Sequence, residues 1–169
     1  MMNATDDEVK RAFQQMHDAM KDVFAPPPSG LKPWAFGSSI AFITTTFSLC
    51  RQLRHESRLP ASVEANQKQV VADAVKNQRL IITQPDSTPN GTADPDAVNF
   101  SHLRNSFAHG NWTRDLSPIP PTSPNQSMKL ILRDYYPKRT TPNWSATINF
   151  ADLLDLTEKL LVVTFNGMP

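Results

Sequence analysis

Apolar residues first recur at helical spacing at Val9, Phe13, Met16, Met20 and Phe24. Steps of three and four residues put side chains on one face of an α-helix. Thr5 and Glu8 stand ahead of them in capping-box order, so a helix is predicted from Thr5 to about Phe24. A proline-rich break follows over residues 25–33. A second helix is predicted from Pro33 to about Arg54, with Pro33 in its first turn. It is apolar nearly all round, the pattern of a helix at the centre of a helical domain. A third is predicted over Ala61–Ile82, with Val63, Val70, Ala74 and Leu80–Ile82 as its apolar positions.

Residues 84–96 form a turn-rich loop. A fourth helix is predicted over Ala97–His109, with Gly110 suited to cap its C-terminus. A second proline-rich loop occupies 113–126. Two strand-like runs follow, Met128–Tyr136 and Trp144–Phe150, and the second alternates apolar and polar side chains. Their seven-residue connection contains two prolines, so they form a loose hairpin over about 128–150. Asp152–Phe165 is predicted as the last helix. The expected architecture is mainly α: a bundle of about five helices with a β-hairpin before the last, in a single domain over residues 1–169.

Composition narrows the class. The chain has 169 residues, 15 of them proline and 5 glycine, and 39% are hydrophobic. One modest core is expected. A formal net charge of +1 excludes a histone-like coat protein for nucleic acid. Charge is nevertheless uneven. Residues 101–140 hold six basic side chains against Asp115 and Asp134, a surface that could attract one polyanion. Cys50 is the sole cysteine, which excludes an intrachain disulfide and a cysteine-based zinc site. No apolar stretch is clean enough for a membrane span, and no basic-then-apolar leader opens the chain. A cytoplasmic location with no membrane partner is therefore expected.

The candidate chemistry lies in Leu103-Arg104-Asn105-Ser106-Phe107-Ala108-His109-Gly110. Asn105 and His109 are four residues apart and share a helix face. Arg104 and His109 are five apart, about 140° around a regular helix. Three routes could bring them together. The helix could loosen near Gly110, Arg104 could fold across on its long stem, or a second copy could complete the site.

A histidine moves protons near neutral pH. Arginine keeps its proton and offers two parallel donors to phosphate oxygens. RNA carries its own nucleophile, the 2′-OH, so such a pair needs no metal or other cofactor. The bare pairing says little, since Arg11 and His17 on the first helix give a second match, six apart, once the gap may vary.

The longer string resembles the ribonuclease-competent motif of the HEPN superfamily, Arg-Asn-x3-His late in a helical bundle. The order of a motif helix, a variable loop or hairpin, and a final amphipathic helix is similar as well. The resemblance is greatest to the stand-alone HEPN proteins of plasmids and defence islands. It implies a metal-independent endoribonuclease, a toxin or anti-phage effector, working as a homodimer with one composite cleft. Arg104 and His109 take the motif roles, and Asn105 the polar position after the arginine. The products would be a 2′,3′-cyclic phosphate and a 5′-OH. Relatives paired with a nucleotidyltransferase antitoxin often carry a tyrosine two residues after the histidine. Asn111 stands there instead, so inhibition by modification at that position is excluded, while another antitoxin or regulator stays open.

His102, Trp112 and Arg114 are expected to assist in binding RNA. His102 lies about 20° from His109 around the helix, and Trp112 could stack on a base. Arg114, with Arg133, Lys138 and Arg139, could line the RNA path. The alternative function is a non-catalytic HEPN module that binds RNA, a nucleotide or a protein partner.

Overall fold

The computed structural model describes residues 33–55, 59–86, 95–115, 128–135 and 139–167. The helix predicted over Thr5–Phe24 and the break after it lie outside them. The elements are α1 (Pro33–His55), α2 (Ala61–Lys76), β1 (Leu80–Gln84), α3 (Pro95–Ala108), β2 (Trp112–Asp115), β3 (Lys129–Asp134), β4 (Trp144–Asn149) and α4 (Phe150–Asn166).

The four strands form one antiparallel sheet in the order β1-β4-β3-β2. This corrects the expectation of a mainly α, all-helical bundle with an inserted hairpin: the fold is α/β, with helices laid against a four-stranded sheet. The predicted hairpin is present, paired from Lys129↔Asn149 to Asp134↔Trp144, but it forms the middle of the sheet.

Two segments account for the difference. The helix expected over Ala61–Ile82 stops at Lys76, and Gln78 turns the chain with φ at 56°. Leu80, Ile81 and Ile82 then pair with Ile148, Thr147 and Ala146. Ile81, Ile82 and Thr83 are β-branched, and such side chains fit a pleated surface better than a helix. The segment 112–115, expected to lie mostly in a loop, is strand β2, with Trp112↔Leu132 and Asp115↔Lys129 as its end pairs.

Alternation along the strands divides the sheet into two faces. Leu80, Leu130, Leu132, Trp144, Ala146 and Ile148 are buried, whereas Ile81 on the opposite face of β1 is 48% exposed. Thr83, Thr113 and Lys129 are exposed on that face as well. The buried face meets Phe47 and Leu53 of α1, Leu103 and Phe107 of α3, and Leu153 and Leu160 of α4 in one core. The Phe47 and Phe107 rings stack with centroids 5.2 Å apart and fix α1 against α3.

A small polar link joins three helices behind this core. Gln67 Nε2 donates to Thr164 Oγ1 at 2.7 Å, and Cys50 Sγ lies 3.8 Å from the same hydroxyl. Burial pushes the Cys50 thiol up to about 11, against smaller lowering by Thr164 and Arg104. Among the described residues no helix is long and apolar enough to cross a membrane.

Candidate functional site

The site is built on α3. Pro95 opens the helix, where its missing N–H costs no bond. At the other end, Gly110 takes the left-handed conformation with φ at 66°. Its N–H donates to Phe107 O at 3.2 Å, and the Asn111 N–H reaches back to Ser106 O at 2.8 Å. This pairing closes a helix over a left-handed residue and satisfies its last carbonyls. His109 N–H still donates to Asn105 O at 3.0 Å, so the helical bonding holds through the histidine. Loosening near Gly110 is therefore not how Arg104 and His109 come together.

One face of α3 lies against β3. Ser106 Oγ is 2.8 Å from Arg133 O and 2.9 Å from His102 O. His102 is buried, Asn105 half-buried and His109 exposed. Asp134, the last residue of β3, turns its carboxylate under the helix. Its Oδ2 lies 2.8 Å from His102 Nδ1 and accepts from Asn105 Nδ2 at 2.9 Å. Its Oδ1 accepts the Tyr135 N–H at 2.9 Å. Burial alone would raise this carboxyl; hydrogen bonds from His102, Asn105 and Tyr135, with the His102 charge, outweigh it and hold Asp134 below its ordinary value of 3.8.

The other nitrogen of His102, Nε2, lies 3.0 Å from Asp86 Oδ2. The imidazole thus stands between two carboxylates, with its side chain 8% exposed. Its ring stacks on Trp144 at a centroid distance of 5.4 Å, and Trp144 Nε1 donates to Asn99 Oδ1 at 3.1 Å. His102 was expected to contact substrate. With both nitrogens on carboxylates and one ring face on an indole, it lies behind the surface instead.

Arg104 Nη2 donates to Asn105 Oδ1 at 3.2 Å. Asn105 in turn shares its helix face with His109, one turn later. Arg104, Asn105, Asp134, His102 and Asp86 form one connected polar chain. Trp112 is half-buried and packs on the core, and Arg114 is exposed on β2. Arg133 donates through Nη1 to Thr113 Oγ1 at 3.2 Å, on the same edge of the sheet.

Two carboxylates of this chain, Asp86 and Asp134, escaped the reading of the sequence. Asp134 carried a signal: it continues the inward alternation of Leu130 and Leu132, and a carboxylate on an apolar strand face needs a partner. Asp86 sits in a turn-rich segment and carried none. Among the described residues no cluster of His, Cys, Asp and Glu could hold a metal ion.

A groove of about 460 Å³ lies elsewhere, between α2 and α4, and contains none of the candidate site residues read from the sequence. Its charges pair among themselves: Lys159 Nζ lies 2.8 Å from Asp155 Oδ2, and Arg79 bridges Asp155 and Asp152. No protein-family model, no curated protein and no solved structure matches the chain.

Proposed function

We propose that the chain is a metal-independent endoribonuclease of HEPN type, acting as a toxin or anti-phage effector. The observation that carries this reading is an arginine paired with Asn105, which shares its helix face with an exposed histidine. Asn105 holds the Arg104 guanidinium at 3.2 Å, and His109 stands exposed one turn further on. The first is a permanent cation with a fork suited to phosphate oxygens, and the second is a proton-transfer group open to solvent.

In the reaction, His109 takes the proton of the substrate 2′-OH. The O2′–P bond forms as the P–O5′ bond breaks, and the departing 5′ oxygen receives a proton. Arg104 stabilises the charge that develops on the non-bridging oxygens. One imidazole cannot accept and donate at the same moment. A second copy, with its own His109 across a two-fold axis, supplies the other half of the transfer. The expected partners are therefore RNA and a second copy of the chain, with an antitoxin or regulator restraining them.

The test is cleavage of total bacterial RNA with EDTA present. His109→Ala is expected to lose about 10²–10⁴ in rate, and Arg104→Ala about 10²–10³. An excess of His109→Ala mixed with wild type is expected to lower the wild-type rate, because each heterodimer holds one imidazole. Wild-type rates in both single variants would remove the catalytic assignment. An undiminished wild-type rate in the mixture would remove the shared cleft.

A further inference from the structure

Asp134 Oδ2 is one atom with two side-chain partners, His102 Nδ1 at 2.8 Å and Asn105 Nδ2 at 2.9 Å. This sharing decides which way the Asn105 amide faces. A carboxylate accepts only, so it takes the NH2 end of the amide. The carbonyl end is left toward Arg104, whose Nη2 donates to it at 3.2 Å. In the reverse orientation, the NH2 group would oppose the donors of the guanidinium, and the carbonyl would oppose the carboxylate. The face that Asn105 offers to Arg104 therefore depends on where Asp134 sits.

His102 fixes Asp134. The imidazole is clamped on three sides: Asp134 from the end of β3, Asp86 from the segment after β1, and the Trp144 ring from β4. Trp144 is tied in turn to Asn99, on the turn of α3 that precedes His102. Two contacts to carboxylate oxygens need two protons, and a neutral imidazole brings one.

We propose that buried His102 is a positioning residue that sets the Arg104 guanidinium through Asp134 and Asn105. The proposal rests on the reading of Arg104 as the phosphate-stabilising group. His102 does not touch RNA. It ties the 86 end of β1 and the 134 end of β3 to the helix that carries the reacting groups.

The experiment compares His102→Phe and His102→Gln in wild-type and Arg104→Lys backgrounds. Phe keeps a ring against Trp144 and deletes both polar contacts. Gln keeps one donor and is the variant to use if Phe does not fold. The expected result is a fall in kcat of roughly 10- to 100-fold with KM within about twofold, since a misplaced stabiliser acts on the transition state. In the Arg104→Lys background the same substitution is expected to cost little more, because the fork it positions is already gone. Equal fold-losses in both backgrounds overturn the proposal.

A second readout does not depend on cleavage: the 15N signals of the Asn105 side-chain amide and the Arg104 guanidinium. They are expected to shift together in His102→Gln and in Asp134→Asn. If the wild type cuts no RNA, the functional reading fails while these signals still decide the positioning. Unchanged Asn105 and Arg104 signals in folded His102→Gln overturn it.

Discussion

At the scale of single residues, buried charge among the described residues is concentrated in one place. Asp134 is 6% exposed, yet it is held below its ordinary 3.8 because three donors converge on it. A group whose folded value is depressed contributes stability above its unfolded value and loses it as pH falls through the folded one. The stability Asp134 adds is therefore complete above about pH 4–5 and disappears on further acidification. Asp134→Ala leaves His102, Asn105 and the Tyr135 N–H without their acceptor. It is expected to cost about 3–5 kcal/mol at neutral pH, the scale of a broken buried pair. Asp134→Asn is expected to flatten the acid limb of the stability curve. Urea unfolding of both variants between pH 3 and 7 checks this, and a wild-type acid limb in Asp134→Asn would contradict it.

At the scale of elements, α3 shows how local chemistry prepares a site. Its C-terminus was legible in the sequence, because Gly110 after an apolar helical pattern predicts a left-handed cap, and the cap forms with φ at 66°. No atom lies within 4 Å of a Cβ built on Gly110, so a side chain there meets conformational strain alone. Gly110→Ala is expected to cost about 1–2 kcal/mol, the penalty of a non-glycine residue in the left-handed region. A lower urea midpoint with an unchanged m-value checks it. The β3–β4 hairpin was equally legible from its alternation.

The missed elements had weaker signals. Leu80–Ile82 continued the helical apolar pattern of α2, and only the short turn at residues 77–79, with Gln78 at positive φ, separates them. β2 is the short run Trp112–Asp115 and draws its strand character from pairing with β3, a non-local cause that no four-residue window contains. The candidate site shows the same division. Arg104, Asn105 and His109 fall within six residues of sequence and were read together. Asp86 and Asp134 join them only when β1 and β3 are brought against α3, so their roles follow from topology.

At the scale of the whole molecule, the sheet does more than fill space. It brings the ends of two strands beneath one helix face, so that the charged groups behind Arg104 are dry while His109 remains wet. A bundle of helices alone would not supply those strand-end carboxylates. The account joins this arrangement to one chemistry, attack by an RNA 2′-OH assisted by His109 and stabilised by Arg104. The most direct measurement is the end chemistry of RNA incubated in EDTA with wild type and, in parallel, with folded His109→Ala. The account predicts 2′,3′-cyclic phosphate and 5′-OH ends from the wild type and almost none from the variant. Ends with 3′-OH and 5′-phosphate, or equal cleavage by both proteins, would contradict it.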